Sequence, residues 1–192
     1  MKPLSLLAAL LLILACLVSC EARIPTDAPA ADAAVSFDAT VYYARDGRMR
    51  FLYDADADML TAMEGYDMAA LYAGEVYSLV LQYTEGTVSR SDADKAIAKE
   101  FTADGVMQVS KKTEAVTVSG HTFRRAEITA ADGSHGAVLY GSTDTGFAKV
   151  YYLLSPSAAA EDEAHLNEIL STVTFAEFET EETDEDVKIF VD

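Results

Sequence analysis

Cysteine, histidine and basic residues are all scarce in this sequence. Two cysteines, three histidines and no tryptophan occur in 192 residues. Fourteen lysines and arginines stand against 32 aspartates and glutamates, which gives a net charge of −18. A surface of this sign repels phosphate backbones and anionic lipid head groups. We therefore expect no nucleic-acid partner and no membrane attachment through surface charge.

Sequence signatures of catalysis are missing as well. The chain contains no G-x-S-x-G elbow, P-loop, G-x-G-x-x-G turn or H-E-x-x-H helix. We therefore assign no catalytic residue and expect no cofactor. A metal-dependent or hydrolytic envelope enzyme is the alternative, with a site assembled in space from His121, His135, His165 and nearby acids. Surface or turn positions are the simpler interpretation of all three histidines.

The N-terminus combines one lysine, Lys2, with an unbroken apolar run from Leu6 to Val18. A run of about thirteen residues is shorter than the ~20 that a transmembrane helix needs, and it suits the core of a signal peptide. The run closes in Leu17-Val-Ser-Cys20, which resembles the lipobox of bacterial lipoproteins. In that family the peptidase cuts before the cysteine, and the thiol carries a diacylglycerol. The alternative is an ordinary signal peptide with a chance cysteine.

The lipobox resemblance implies a location and a mature form. Residues 1–19 are then removed as a signal peptide, and acylated Cys20 anchors the protein to a lipid membrane. The expected place is the outer face of the bacterial cytoplasmic membrane or the cell envelope. Because Lys2 and Cys16 leave with the peptide, the mature chain has one thiol, no disulfide and a net charge of about −19. The two acyl chains of a diacylglycerol suffice for stable anchoring.

The remaining sequence divides into three parts by composition. Residues 20–34 are rich in Ala, Pro and Asp and predict a flexible tether. Residues 35–175 have the length and apolar content of one globular α+β domain. Residues 176–192 form an acidic tail, in which seven of the ten residues from Glu177 to Asp186 are acids. We expect a solubilising tail, although the alternation in Val187–Val191 also suits an edge strand in cis or docking onto a partner.

Periodicity within the domain predicts strands and amphipathic helices. Asp46-Gly47 suits the type I′ turn of a hairpin between Val41–Arg45 and Arg48–Asp54. A short helix at 56–65 and a strand at 75–84 are predicted next. They are followed by a helix at 91–104 that begins at Ser91, and by a four-stranded antiparallel meander over 111–154. The last predicted helix begins at Ser155-Pro156, and its apolar stripe consists of Leu166, Ile169, Leu170 and Val173. The fold class is therefore α+β, an antiparallel sheet flanked by helices.

The order of elements from about Val76 to Phe175 carries a family resemblance, which rests on patterns of turns and hydrophobicity. A strand and an amphipathic helix precede a Val-rich hairpin over Val116–Phe123, two more strands follow, and a helix closes in Thr172-Val-Thr-Phe175. This order resembles the PsbP/Mog1-like family, particularly its small bacterial secreted and lipoprotein members. The resemblance implies an α/β/α sandwich. Because known members act mostly as binding or assembly factors and share no catalytic residues, we expect a non-catalytic binding or assembly module for an envelope protein or small ligand, most simply an envelope protein.

Asp54-Ala-Asp56-Ala-Asp58 places carboxylates at alternate positions, as at the opening of a calcium loop. An EF-hand then needs Gly at its sixth position and Glu at its twelfth, where this chain has Met59 and Gly65. We therefore expect a solvated acidic turn, with Asp54, Asp56 and Asp58 as weak candidates for metal ligands. A weak calcium-binding surface protein is the second alternative function.

Most tyrosines fall in predicted strands: Tyr42, Tyr43, Tyr53, Tyr77, Tyr83, Tyr140, Tyr151 and Tyr152. Packing within the sheet is the simpler interpretation, whereas an exposed subset would suit a partner-binding face. Arg124 and Arg125, in a strand near Glu127, are expected to form cross-strand ion pairs.

Overall fold

The computed structural model describes residues 35–44, 47–62, 68–103 and 105–178. Its strands are β1 (Ala39–Tyr43), β2 (Met49–Asp54), β3 (Met59–Ala62), β4 (Met68–Ala73), β5 (Tyr77–Glu85), β6 (Met107–Val118), β7 (His121–Ala130), β8 (His135–Ser142), β9 (Gly146–Leu154) and β10 (Thr174–Phe175). Its helices are α1 (Arg90–Thr102) and α2 (Ala160–Thr172). Over these described ranges, no helix is long and apolar enough to cross a membrane. The predicted signal peptide, Cys20, the tether and the tail beyond Phe178 lie outside the described residues.

The strands form two antiparallel sheets. One has seven strands in the order β3-β4-β5-β9-β8-β7-β6, and the other has three in the order β1-β2-β10. The predicted hairpin of β1 and β2 and the predicted meander of β6 to β9 are both confirmed. Between β6 and β7, Ser119 and Gly120 have φ angles of 51° and 78°. Positive φ at both central residues is what a type I′ hairpin turn requires.

The two faces of the seven-stranded sheet carry different layers, because side chains alternate along each strand. On the α1 face, Ala93, Ile97 and Phe101 of α1 pack against residues such as Ile128 and Val138. On the α2 face, a larger core joins the sheet to α2 and to the three-stranded sheet. The predicted α/β/α sandwich is therefore confirmed only in part. A helix lies on each face of an antiparallel sheet, but α2 shares its layer with the small sheet.

The predicted short helix at 56–65 is wrong over its described residues. Residues Met59–Ala62 form β3, which pairs antiparallel with β4, a strand that periodicity did not reveal. A tight turn comes first, in which Asp58 N donates to Asp54 O at 2.7 Å. The chain therefore leaves β2 and runs directly into an edge position of the large sheet. Hydrogen bonding to β4 outweighs the helix propensity of this Ala- and Met-containing segment.

The predicted starts of both helices are also wrong by a few residues. Ser89, rather than Ser91, caps α1, because its Oγ accepts the Asp92 N–H at 3.2 Å. The cap of α2 is Ala159, and its N–H donates to Asp162 Oδ2 at 2.7 Å. The Ser155-Pro156 segment forms a separate turn, in which Ala158 N donates to Ser155 O at 3.0 Å.

Candidate functional site

The acidic loop from Asp54 to Asp58 closes on itself. Asp54 N donates to Asp58 Oδ2 at 3.1 Å, and Asp54 Oδ1 accepts the Asp56 N–H at 3.0 Å. The Asp58 side chain is buried, whereas Asp56 is exposed. Among the described residues, the three carboxylates that were weak metal-ligand candidates do not form a group that could hold a metal ion.

Asp58 is the centre of a buried polar cluster with Tyr77 and His165. The Tyr77 hydroxyl donates to Asp58 Oδ1, and His165 Nε2 lies 3.2 Å from Asp58 Oδ2. Because a carboxylate only accepts hydrogen bonds, the imidazole donates from Nε2. Together with the Asp54 N–H, these two donors give the carboxylate three hydrogen bonds. They offset the cost of burying its charge.

The phenol of Tyr77 stays protonated in this cluster. Burial raises the pKa of Tyr77 well above its usual value of 10.0, and the hydrogen bond to Asp58 raises it further. The stability that this phenol contributes is therefore fully present below pH 10 and is lost as the pH rises toward the folded-state pKa. A protonated phenol that donates to a buried carboxylate is neither a nucleophile nor a general base. The hydrogen bonds to Asp58 join β5, α2 and the loop after β2.

The three histidines lie at separate places. His165 packs against the edge of the Phe37 ring, with 4.8 Å between ring centroids. His121 begins β7, and its Nδ1 lies 3.9 Å from the exposed carboxylate of Asp144. His135 begins β8 and is exposed. Within residues 35–178, apart from the undescribed gaps, no three or more His, Cys, Asp or Glu side chains form a group that could hold a metal ion.

A cleft lies between α1 and strands β5 and β9. It encloses about 130 Å³ and is lined by Ile97, Phe147, Gln82 and the ion pair of Lys149 with Glu100. Lys149 Nζ lies 2.5 Å from Glu100 Oε1, so the buried ammonium is already neutralised. Pockets for cofactors or drug-sized ligands usually enclose ~300–1,000 Å³. This cleft is smaller than that range and has room for only a few water molecules.

The predicted cross-strand ion pair is confirmed for Arg125 but not for Arg124. Arg125 Nη1 lies 2.8 Å from Glu114 Oε1, on the directly opposite residue of β6. Arg124 instead reaches α1, where its Nε lies 3.1 Å from Asp94 Oδ1. The Tyr140 hydroxyl donates to the same oxygen of Asp94 at 2.9 Å. The contacts of Arg124 and Tyr140 with Asp94 attach α1 to the sheet, and both arginines are engaged in ion pairs.

The solvent side of the three-stranded sheet carries two of the four exposed large hydrophobic residues among those that the structure describes. Its outer face, defined here as Val41, Tyr43, Arg50, Leu52 and Phe178, follows from the register, since Val41 lies opposite Leu52 and Tyr43 opposite Arg50. Val41 is 46% exposed and Tyr43 is 45% exposed. Their neighbour Tyr42 points to the other side and packs on the buried Phe51, with 5.0 Å between ring centroids.

Aromatic and cationic contacts hold the outer face together. The Arg50 guanidinium lies 4.6 Å from the centroid of the Phe178 ring, and Phe178 meets Tyr43 edge-on at 6.0 Å. The Phe178 N–H donates to Gly47 O at 2.7 Å. An exposed surface that combines Tyr, Phe and Arg has the composition of protein-binding hot spots.

Sequence patterns correctly placed the tyrosines of this site in strands. All eight tyrosines predicted in strands lie in strands. The alternation around Tyr42 predicts that Val41 and Tyr43 share a face, yet nothing local shows which face is open. That depends on tertiary packing, because Phe51 of β2 and Phe175 of β10 join the core on the opposite face. The partners of Asp58 were missed for the same reason, because Tyr77 and His165 are distant in sequence.

Comparison with known proteins supports the fold. No family model matches the chain, and no curated protein matches its sequence. Among solved structures, the chain is similar to the solution structure of cyanobacterial PsbP (CyanoP) from Synechocystis sp. PCC 6803, with a TM-score of 0.53 and 13% sequence identity. The similarity covers 76% of this chain and 96% of that chain. The predicted PsbP-like fold is thus confirmed, while the lipoprotein assignment stays a prediction.

Proposed function

We propose that this protein is a membrane-anchored extracytoplasmic lipoprotein whose PsbP-like domain is a non-catalytic binding or assembly module for another envelope protein. The observation that carries the proposal is the outer face of the three-stranded sheet. Two of the four exposed large hydrophobic residues among those described, Val41 and Tyr43, lie there side by side with Arg50 and Phe178.

The anchor and the domain have complementary roles in this proposal. A diacylglycerol on Cys20 keeps a strongly acidic protein at an anionic surface that would otherwise repel it. The predicted tether of residues 20–34 ends five residues before the start of β1 at Ala39. Mass spectrometry of the mature N-terminus tests the anchor, since a diacylated Cys20 is expected as the first residue.

Site-specific photocrosslinking in intact cells tests the binding role. A photoreactive phenylalanine analogue is placed at Val41 or Tyr43, with Met59 and Val106 as matched controls. Met59 is 63% exposed and Val106 is 55% exposed, but both lie away from the outer face. We expect a discrete protein adduct from positions 41 and 43 only, and we expect Tyr43→Ser to remove the adduct formed at position 41.

Two results would contradict the proposal. Equal adducts from all four positions would indicate nonspecific collision with neighbours. The absence of protein adducts at positions 41 and 43, in a protein shown to be mature and folded, would exclude the outer face as the binding surface.

A further inference from the structure

Strand β1 forms a sheet edge without the usual protection against pairing. Edge strands tend to pair with other chains unless charge, irregular pairing or short length prevents it. Strand β6 carries Lys111 and Lys112 and has an irregular register with β7, while β3 has four residues and β10 has two. By contrast, β1 (Ala-Thr-Val-Tyr-Tyr) pairs regularly with β2 and contains neither a charge nor a proline. Among the described edge strands, β1 is therefore the best suited to accept another strand.

The edge of β1 presents backbone groups at every second residue. Over the described part of the chain, β1 pairs with β2 alone. Ala44 N donates to Met49 O at 2.8 Å, and the groups directed toward the partner strand alternate along an antiparallel pair. The N–H and C=O groups of Tyr42 therefore face β2, whereas those of Val41 and Tyr43 point to the open edge. Because a helix satisfies its own backbone groups, an extended peptide segment is the ligand that this edge fits.

The side chains of the outer face add a second requirement for the ligand. Val41 and Tyr43 are exposed and lie opposite Leu52 and Arg50 of β2. A strand placed next to β1 continues this face, so every second side chain of the new strand lies beside Val41 or Tyr43. Apolar side chains at these alternate positions would bury the exposed area that the two residues present.

Arg50 indicates the charge of the segment. Its guanidinium lies 4.6 Å from the centroid of the Phe178 ring, and among the described residues its Nε is buried without a hydrogen-bond partner. Carboxylates bind guanidinium groups through strong, often bidentate hydrogen bonds. An added strand lies two strand spacings from β2, roughly 10 Å, which an arginine and a glutamate side chain bridge together. The net charge of −18 permits an acid here, because physiological salt screens charges beyond about 8 Å.

We propose that the envelope partner contributes an extended segment that adds to the open edge of β1 as a fourth strand of the small sheet, with apolar side chains beside Val41 and Tyr43 and an acid that binds Arg50. This inference rests on the proposed binding role and specifies how the partner is recognised. Backbone hydrogen bonds to Val41 and Tyr43 supply affinity, while the apolar side chains and the acid supply specificity.

Removal of one outward N–H tests the strand pairing. A photoreactive phenylalanine analogue at position 43 is combined with Val41→Pro in intact cells. Proline is tolerated on an edge strand where its missing N–H faces outward, and thermal unfolding of the purified variant checks that it folds. We expect the yield of the protein adduct to fall about tenfold below that of Val41→Thr, which keeps the N–H with a side chain of similar shape.

A second proline variant repeats the test, and a third controls for proline itself. Ala39→Pro removes another outward N–H at the first residue of β1, where proline is well tolerated, and should also lower the yield. Ala115→Pro is the control, because Ala115 is an exposed residue of edge strand β6 in the other sheet. Its N–H points away from β7, since the two-residue turn makes Val118 and His121 a hydrogen-bonded pair. The adduct should keep its yield in this variant.

Substitution of Arg50 tests the acid. Arg50→Gln should lower the adduct yield severalfold, whereas Arg50→Lys keeps the charge and should lose less. Mass spectrometry of the adduct identifies the crosslinked segment of the partner. We expect alternating apolar residues in that segment, with an aspartate or glutamate close to the crosslinked position.

The outcomes separate this inference from the proposed function. Equal adduct yields from folded Val41→Pro and Val41→Thr would overturn strand addition and leave the binding role intact, because the partner would then be held by side chains alone. An adduct between two copies of this chain would overturn the choice of partner. The absence of any adduct at position 43 in the otherwise unsubstituted protein would overturn the proposed function, and this inference with it.

Discussion

The two faces of the seven-stranded sheet are stabilised in different ways. On the α1 face, a narrow apolar stripe is supplemented by two acids of the helix, Asp94 and Glu100, which reach Arg124 and Lys149 of the sheet. On the α2 face, the apolar core continues from the sheet through α2 into the three-stranded sheet, and its polar contacts include the buried Asp58 cluster.

This difference shows where stability is concentrated. Partly exposed ion pairs usually contribute only about 0–1 kcal/mol each, because solvent screens them. The carboxylates of Asp94 and Glu100 are 39% and 49% exposed. Burial of apolar surface on both sides of α2 contributes more for each side chain. We therefore expect the α2 face to set the stability of the domain, and α1 to be the more weakly attached layer.

Truncation of a matched isoleucine on each helix gives the largest expected effect. Ile169 of α2 is 0% exposed and Ile97 of α1 is 3% exposed. We expect Ile169→Ala to lower the free energy of unfolding by about 4 kcal/mol and Ile97→Ala by about 2 kcal/mol. The second cavity opens onto the existing cleft that Ile97 lines, so water and small movements of α1 relieve it. Urea unfolding at constant m value measures both losses.

Valine at the same positions is the control, since each Ile→Val change removes a single methylene and should cost about 1 kcal/mol. If Ile97→Ala proved as costly as Ile169→Ala, the two faces would contribute equally and the comparison would be wrong.

Removal of one acid from each face should give the next largest effect. Asp58→Ala leaves the Tyr77 hydroxyl and the His165 imidazole without their acceptor, so we expect a loss of about 3 kcal/mol. Glu100→Ala leaves Lys149 without its partner at a site that water can reach, so we expect a loss of about 1 kcal/mol. Thermal or urea unfolding at neutral pH measures both.

Asp56→Ala is the matched control, because this exposed loop acid should change stability by less than about 0.5 kcal/mol. The double variant Asp58→Ala/Tyr77→Phe should recover about 1 kcal/mol of the loss, since it removes the unsatisfied hydroxyl as well. Failure of that recovery would show that Tyr77 is not the partner whose loss destabilises the Asp58 variant.

Local patterns predicted the parts of the fold that local interactions determine. The meander of β6 to β9 follows from alternation and short turns, and the turn of Ser119 and Gly120 forms as expected. By contrast, β3 and β4 were not predicted, because their stability comes from pairing in the large sheet. The Asp58 cluster and the outer face were missed for a related reason. Both depend on where distant segments, α2 and β10, return to the sheets.

The helix starts also show that local sequence patterns do not determine every boundary. Ser89 and Ser91 both precede acids that suit a cap, and only the direction from which the chain enters α1 selects Ser89. Before α2, the hydroxyl of Ser155 is used within its own turn, where it lies 2.8 Å from Ser157 Oγ. The cap position is consequently occupied by Ala159, which has no side-chain acceptor.

The lack of a side-chain acceptor at Ala159 leads to the smallest predicted effect, which is a gain in stability. Ala159 has extended backbone angles (φ −86°, ψ 166°), and its N–H already bonds to the Asp162 carboxylate. A serine at this position would accept the Asp162 N–H and complete a reciprocal capping box. We expect Ala159→Ser to raise the free energy of unfolding by about 0.5–1 kcal/mol, and Ser89→Ala on α1 to lower it by about 1 kcal/mol. Because α2 lies on the face that carries the main core, its better cap should raise the global unfolding midpoint.

Ala158→Ser, one residue before the cap, should give no gain. An equal gain from Ala158→Ser would mean that the added hydroxyl acts through solvation of the turn and not through the helix end.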